Sequence, residues 1–270
     1  MKNSNSFIFI LLLIWITSCC SQKQLVVLCT NDTHSQVLPT ADNTAGYARR
    51  AGIIDTVRAH NLNVVLVDDG DFSQGTVFFN FFKGDVEMGG MKAMHYDAVT
   101  FGNHEFDNGV DTLAAHLAKN HFSIVCANYD VTGTPLAPYV KPYIIIKRGG
   151  LKIGIFGLGV NPANLIMAAN FKGIKFLNPD ETADRVSTLL KKREKCDVVI
   201  CISHSGTAQN ALFSDWTVAK HSHYIDLICS GHSHEIINTK IPNADGKPVQ
   251  IIQSGKTGAK LGRVDMIFKK

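Results

Sequence analysis

Five short polar segments of this sequence carry side chains that could bind metal ions. They are residues 30–34, 68–71, 102–107, 203–204 and 230–234. Their candidate ligands are carboxylates, one amide and imidazoles, namely Asp32, His34, Asp71, Asn103, His204, His232 and His234. Such a donor set without a thiolate suits Zn, Mn or Fe better than Ca or a structural cysteine zinc site. The pattern therefore predicts a catalytic type of metal centre.

Each of these segments directly follows a short apolar run that is typical of a buried strand. The runs are residues 25–29, 63–67, 97–101, 197–202 and 225–229. In an open α/β sheet, groups beyond the carboxyl ends of neighbouring strands converge on one crevice. Taken singly, Asp32 or Asp71 could be a turn residue and His204 a hydrogen-bonded core histidine. Placement of all five segments at strand ends favours one shared site.

The spacing within the segments suggests how the ligands are shared. On an extended segment alternate residues face one side, so Asp32 and His34 are expected to reach one ion together. The same holds for His232 and His234 if their loop is extended, although that pair could also serve two different ions. Gly70, Gly102 and Gly231 adjoin these ligands. They would permit a sharp turn or a close backbone approach.

The elements that must position these residues indicate an α/β fold. Apolar runs of about five residues alternate with helix-like segments such as 45–60 and 180–193, which is typical of strands buried on both faces. Residues 143–147 and 151–156 predict a hairpin, so the sheets should be mixed. A similar pair, 248–252 and 263–268, is expected to close the chain. We predict a single-domain, four-layer-type sandwich of mixed β-sheets flanked by helices.

Composition excludes several classes of protein. The 270 residues are 45% apolar and 19% charged, with a formal net charge of +4. Disorder would require lower hydrophobicity and a stronger charge, and the basic excess is too small to indicate nucleic acid as a partner. Cysteines 29, 126, 201 and 229 lie in apolar runs and are expected to be core residues. No disulfide is assigned.

The amino terminus reads as a targeting segment. Lys2 precedes an apolar run over residues 7–16, and residues 16–19 form a small-residue region that ends at Cys19. This resembles the lipobox of bacterial lipoproteins, in which the cysteine is acylated; an ordinary secretory signal is the alternative. The predicted boundaries are a signal peptide at 1–18, a lipid-anchored linker at 19–24 and a catalytic domain at 25–270. The protein is expected in the bacterial cell envelope, anchored to the membrane.

The motifs as a set resemble the calcineurin-like metallophosphoesterases, and among them the amino-terminal catalytic domain of the 5′-nucleotidase family. The matching stretches are residues 30–35, 69–76, 102–107, 203–206 and 231–234, in family order. The resemblance implies two divalent ions, with Zn, Mn and Fe as the candidates. The first would be held by Asp32, His34 and His234, and the second by Asn103, His204 and His232. Asp71 would bridge both ions, and histidine replaces the glutamine that some relatives have at position 234.

The resemblance also implies the activity. His104 would be the catalytic histidine, oriented by Asp107. The expected reaction is hydrolysis of 5′-nucleotides or related phosphoesters by in-line attack of a metal-bound hydroxide, with His104 protonating the leaving oxygen. Hydrolysis of phosphodiesters or nucleotide sugars is an alternative. A further alternative is a nucleotide-binding lipoprotein subunit that needs a partner chain for activity.

Three further features are expected to have structural roles. Glu105 is expected to cap or solvate its loop, and residues 191–193 to form a solvated helix end. The aromatic run at residues 78–82 is expected to be core, with a partner surface as the alternative. The family's carboxyl-terminal nucleotide-binding domain is not expected here, because only 36 residues follow His234. A separate chain is therefore expected to supply it.

Overall fold

A computed structural model describes residues 22–268 of the chain. The predicted signal peptide and the lipidation residue Cys19 lie outside these residues. Within 22–268, every helix is too short or too polar to cross a membrane.

The described residues contain fourteen strands. The longer ones are β1 (Lys23–Thr30), β2 (Val64–Asp68), β7 (Tyr143–Arg148), β8 (Leu151–Leu158), β10 (Val198–Ser203), β11 (Leu227–Ser230), β12 (Ile236–Pro242), β13 (Pro248–Ser254) and β14 (Gly262–Phe268). The two-residue strands are β3 (Ala98–Val99), β4 (Ile124–Val125), β5 (Tyr129–Asp130), β6 (Val140–Lys141) and β9 (Lys175–Phe176).

The strands form two large mixed sheets. The first sheet has the order β14-β1-β2-β3-β4-β6 and is parallel except for its edge strand β14. The second has the order β12-β13-β11-β10-β8-β7 and is parallel except for the edge strands β12 and β7. Strands β5 and β9 pair separately. In both sheets the central parallel strands are those that precede the predicted ligands.

Helices cover the outer face of each sheet. They are α1 (Tyr47–His60), α2 (Val77–Phe82), α3 (Asp85–Ala93), α4 (Gly109–Asn120), α5 (Pro179–Thr188) and α6 (Asp215–His221). Shorter 3-10 turns occur at His104–Phe106 and Ala168–Phe171, and α5 continues into a π-helical turn at Leu189–Arg193. Asn178 caps α5 by accepting hydrogen bonds from the backbone N–H groups of Asp180 and Glu181. A side-chain cap of this kind fixes where the helix begins.

Alternate residues of the central strands enter different hydrophobic cores. In β1, Leu25 and Val27 lie between the two sheets, whereas Val26 and Leu28 pack under the helices of the first sheet. In β10, Ile200 lies between the sheets and Val199 packs under the helices of the second. Burial on both faces explains why the strand sequences are continuously apolar. The result is the predicted layered α/β sandwich of mixed sheets, which is confirmed.

The local predictions have mixed outcomes. The β7–β8 hairpin is confirmed, and the cysteines predicted as core residues are buried and unpaired within the described chain. The predicted closing hairpin is wrong, because β13 pairs with β11 and β12, whereas β14 crosses to the first sheet and pairs with β1. The aromatic run at residues 78–82 is only partly core. Phe79 is 7% exposed and joins the core, but Phe81 is 79% exposed.

The two sheets lie close together where Gly157 of β8 faces β4. A Cβ added to Gly157 would lie 1.9 Å from the carbonyl oxygen of Val125. We expect Gly157→Ala to lower the free energy of unfolding by about 1–3 kcal/mol, the usual cost of overpacking. Denaturation in urea measures this change in the free energy of unfolding. Gly52→Ala is the control, because that exposed glycine of α1 has no atom within 4 Å of its added Cβ. The control should be neutral or stabilising by up to about 1 kcal/mol; equal midpoints for both variants would contradict the close approach.

Candidate metal centre

The five polar segments meet at the carboxyl ends of the central strands. Strands β1, β2 and β3 are neighbours in the first sheet, and β10 and β11 are neighbours in the second. The backbone N–H of Asp32 donates to the carbonyl of Gly70 over 3.0 Å. Across the sheets, His204 Nδ1 lies 2.7 Å from the carbonyl oxygen of Asp69. The crevice predicted from strand-end placement is therefore present.

A first group of donors joins the loop after β1 to the loop after β11. It consists of Asp32, His34 and His234, whose donor atoms lie within 4.8 Å of one another. The Nε2 atoms of His34 and His234 are 3.0 Å apart, and His234 Nε2 is 3.3 Å from Asp32 Oδ1. Two imidazole nitrogens and a carboxylate oxygen thus converge on one point, as the resemblance implied.

A second group lies beside the first and consists of Asp71, His204 and His232. His204 Nε2 is 3.1 Å from Asp71 Oδ2 and 3.8 Å from Asp32 Oδ1. His232 and His234 therefore belong to different groups, which favours the alternative that the pair would serve two different ions. Asp71 also groups with His34 and His104, so its carboxylate lies between the two sets.

Buried polar atoms without partners show that metal ions fit these groups. Within residues 22–268, the buried Asn103 Oδ1 has no hydrogen-bond partner, and the buried His204 Nε2 lies 3.1 Å from Asp71 Oδ2 without the alignment of a hydrogen bond. An unpaired buried polar atom typically costs about 1–3 kcal/mol, so such atoms are rare without a reason. Imidazole nitrogen and amide oxygen are both ordinary ligands of divalent ions. A bound cation would satisfy both atoms.

The electrostatics of the second group also favour a bound cation. Burial disfavours the charged form of His204, yet the carboxylates of Asp71 and Asp32 raise its pKa to about 10. Burial would likewise raise the pKa of Asp71, but the neighbouring His204 and His104 hold it below its usual range. His232 is buried beside His204, which lowers its pKa to about 4. Two buried carboxylates therefore require positive charge at this point, and a neutral His232 keeps its nitrogen available as a ligand.

The backbone of the ligand loops is strained. Asp32, His34, Asp71, His232 and His234 all have positive φ, between 43° and 72°. The expectation of an extended segment from Asp32 to His34 is therefore wrong, and the loop of His232 and His234 is not extended either; the ligands converge through left-handed turns instead. Such conformations cost non-glycine residues about 1–3 kcal/mol each and cluster at functional sites. Gly70, at φ 91°, supports the turn, because an added Cβ would lie 2.4 Å from the Gly102 backbone nitrogen.

His104 lies at the edge of the centre with its predicted companion. Its Nδ1 is 2.9 Å from Asp107 Oδ2, and its backbone N–H donates to Asp71 Oδ1 over 2.9 Å. The hydrogen bond to Asp107 raises the pKa of His104 against the effect of partial burial. The ring of His104 lies 5.5 Å from that of His34, centroid to centroid. A partly exposed, charge-stabilised imidazole thus faces the first group of donors.

Glu105 plays a part that the sequence analysis missed. It is only 4% exposed, so the expectation of a solvated residue is wrong, whereas the alternative that it caps loop N–H groups agrees with its contacts. Its carboxylate accepts hydrogen bonds from the backbone N–H groups of Asp71 (3.0 Å), Ser73 (3.0 Å) and Gly102 (2.7 Å). Burial, with the nearby Asp71, raises the pKa of Glu105 to about 7. The sequence did hold one signal for this role, because buried N–H groups in a tight loop after a strand need an acceptor and Glu105 is a carboxylate in such a loop.

Two amide side chains also escaped the sequence analysis. Asn31 Nδ2 donates to Asp32 Oδ2 and to the Gly255 carbonyl, both over 2.6 Å. Gln253 donates from Nε2 to the Gly231 carbonyl over 3.0 Å and accepts at Oε1 from the Glu235 N–H over 2.6 Å. Both lie far along the chain from at least one of their partners, so no local pattern reveals these contacts.

The layered α/β sandwich and the paired His/Asp groups at its strand ends define a protein built for a two-metal centre. Comparison with known families agrees. The model of the calcineurin-like phosphoesterases matches residues 25–235, and the chain belongs to this family. Its members use two divalent metal ions.

The similar proteins are mainly 5′-nucleotidases. The chain is 32% identical to a snake venom 5′-nucleotidase of Gloydius brevicauda, over 91% of this chain and 45% of that protein. It is 31% identical to a 5′-nucleotidase of Vibrio cholerae, over 91% of this chain and 49% of that protein. A crystal structure of a 5′-nucleotidase precursor from Thermus thermophilus superposes with a TM-score of 0.81 at 28% identity, covering 91% of this chain and 52% of that one. The chain thus spans about half the length of these relatives.

Removing the Glu105 carboxylate should loosen the loops that carry Asp71 and Asn103. Glu105→Ala leaves three buried N–H groups without their acceptor. Each unpaired group costs about 1–3 kcal/mol of stability, and water that enters to accept from it would reduce that cost. Glu105→Gln retains one acceptor oxygen and should cost less. Denaturant midpoints and zinc affinity, measured by competition with a chromophoric chelator, should fall in the order native, Gln, Ala.

Glu181→Gln, at an exposed position of α5, is the control for this series. Its stability should remain within about 0.5 kcal/mol of the native protein. A Glu105→Ala protein with native stability and native zinc affinity would show that the carboxylate does not hold the loops.

Proposed function

We propose that the chain is a phosphohydrolase that releases phosphate from 5′-nucleotides or related phosphoesters with the help of two divalent ions. The observation that carries this proposal is the paired arrangement of donors, with the Asp71 carboxylate between the two groups and His104 beside them. The 5′-nucleotidases among its relatives support the substrate class.

The proposed ligand sets follow the two groups of donors. Asp32, His34 and His234 would hold one ion, and His204, His232 and Asn103 the other. The unpaired Asn103 Oδ1 supports its inclusion. Asp71 would contact both ions, because it is the carboxylate that groups with His204 on one side and His34 on the other.

Ions in these positions would supply a water-derived nucleophile at neutral pH and neutralise charge on the phosphoryl oxygens. The protein's own side chains supply the rest. Asp107 fixes the ring of His104 through Nδ1, which leaves Nε2 as the atom that donates a proton to the leaving oxygen. Glu105 and Gln253 keep the ligand loops in place through their backbone contacts.

Phosphate release from AMP tests the function and the role of His104 together. The metal-loaded native protein should hydrolyse AMP and should be slower on the diester bis(p-nitrophenyl) phosphate. His104→Ala should bind both ions, measured by elemental mass spectrometry, yet lose about 10²–10⁴ in kcat, the usual contribution of a general acid.

His60→Ala, an exposed histidine at the end of α1, is the matched control and should retain native turnover. Preference for the diester would instead indicate a phosphodiesterase. Nucleotide binding without hydrolysis would indicate a binding subunit, and unchanged turnover in metal-loaded His104→Ala would refute the role of that histidine.

We also propose that the protein is a lipid-anchored component of the bacterial cell envelope. The support is the Lys2 charge, the apolar run that follows it and the small-residue region that ends at Cys19. Two relatives are named snake venom 5′-nucleotidases, and a venom enzyme fits an exported protein. A separate chain that docks over the crevice remains part of this proposal, supported by the exposed apolar side chains of Leu165 and Leu212 beside it.

Neighbouring cysteines provide a matched test of the lipid anchor. Cys19→Ala should abolish incorporation of labelled palmitate in a bacterial host and move the protein from the membrane fraction to the soluble fraction. Cys20→Ala, one residue further on, should leave both readouts unchanged. Identical behaviour of the two variants would favour an ordinary secretory signal.

A further inference from the structure

A further cluster of possible ligands, the cysteine cluster, lies in the core between the two sheets. It consists of Cys29, Asp69 and Cys229, whose donor atoms lie within 4.8 Å of one another. All three residues are almost completely buried, with exposed fractions of 0–1%. Cys29 belongs to β1, Cys229 belongs to β11 and Asp69 directly follows β2. The cysteine cluster therefore connects the first sheet to the second.

The cysteine cluster is distinct from the metal centre but uses the same segments of the chain. Each of its members stands two or three residues before a proposed ligand of that centre, namely Asp32, Asp71 or His232. Both cysteines belong to the core between the sheets. The backbone carbonyl of Asp69 contacts His204 Nδ1 over 2.7 Å, so the cluster lies directly behind the metal centre.

The carboxylate of Asp69 has no partner in the part of the chain that the structure describes. Both Oδ1 and Oδ2 are buried, and neither makes a hydrogen bond within residues 22–268. Protonation would not remove this deficit, because the hydroxyl of a carboxylic acid also needs an acceptor. Unpaired buried polar atoms are rare in folded proteins and call for a specific explanation, such as an ion. The deficit points to a cation that both oxygens can bind.

Two thiolates and a carboxylate select a particular class of ion. Soft thiolate ligands favour zinc or copper(I) over magnesium and calcium, and the carboxylate oxygen favours zinc of the two. Zinc bonds sulfur at about 2.3 Å and carboxylate oxygen at about 2.0–2.2 Å, usually with four ligand atoms in a structural site. The two sulfur atoms and the two oxygens of Asp69 supply four. Closed surroundings of this kind are typical of a structural zinc site rather than a catalytic one.

We propose that Cys29, Asp69 and Cys229 bind a structural zinc ion that fastens the two sheets together behind the metal centre. Binding releases the protons of both thiols, and any proton on the carboxyl group, because the deprotonated groups are the ligands. The ion would fix β1 relative to β11, and with them the loops that carry Asp32 and His232. This inference goes beyond the proposed hydrolase function and does not depend on its substrate.

Cobalt substitution tests the site, because thiolate ligands give cobalt(II) an intense charge-transfer absorption in the near ultraviolet and nitrogen or oxygen ligands do not. The proposed ligands of the metal centre include no sulfur, so ions bound there should not produce this band. The full chain loaded with cobalt should show the band, and Cys29→Ala and Cys229→Ala should lose it. Cys196→Ala is the matched control and should retain it, because Cys196 is buried in the core outside the second sheet.

Zinc retention gives a second readout. After treatment with a chelator that strips the open metal centre, the native protein should keep one zinc ion per chain, measured by elemental mass spectrometry. Asp69→Asn, which keeps one carbonyl oxygen, should lose most of that zinc under the same treatment. These measurements on the native protein decide the matter if the cysteine variants fail to fold.

Three results would overturn the site. They are absence of the cobalt band from the native protein, a disulfide between Cys29 and Cys229, and equal loss of the band in all three cysteine variants. Failure of the native protein to hydrolyse AMP would count against the proposed function instead, and the cobalt and zinc readouts would still report on the cysteine cluster.

Discussion

The need to compensate two buried carboxylates governs this structure. Asp32 and Asp71 both lie within 4 Å of His204 Nε2, and all three side chains are almost completely buried. Charges held this close in a poorly solvated interior repel strongly unless a cation lies between them. A protonated His204 would neutralise one of them, whereas divalent ions would neutralise both and leave the imidazole free to act as a ligand. The other donors converge on the positions that such ions would occupy.

The two-sheet architecture is what brings the two sets of donors together. The first sheet presents the carboxylates, the amide and His34, and the second presents His204, His232 and His234. Hydrogen bonds then tie the two sets to each other, because Asp32 accepts from the backbone N–H of His232 over 3.0 Å and the Asp69 carbonyl meets His204 Nδ1. The centre therefore depends on packing of the core between the sheets. A change in that packing would shift one set of ligands relative to the other.

The sequence predicted the layers, the crevice and the candidate ligands because each depends on a local pattern. Continuous apolar runs indicate strands buried on both faces, and polar residues after such runs indicate the active edge of a sheet. The pairing of β14 with β1 was missed because it joins the two ends of the described chain, and no local signal marks which sheet a final strand joins. Glu105 was misjudged for a similar reason. Its role lies in N–H groups up to 34 residues away, and a sequence read locally shows a charged loop residue.

The strained loops explain how the fold can hold such a site. Five proposed ligands adopt left-handed backbone conformations, and several polar atoms remain unpaired, so the centre destabilises the protein that carries it. The continuous core between and outside the sheets offsets that cost, and ions that bind only the folded state would return part of it. The strand ends that precede these loops therefore fix where the ligands lie, because the loops themselves adopt conformations that they would not prefer alone.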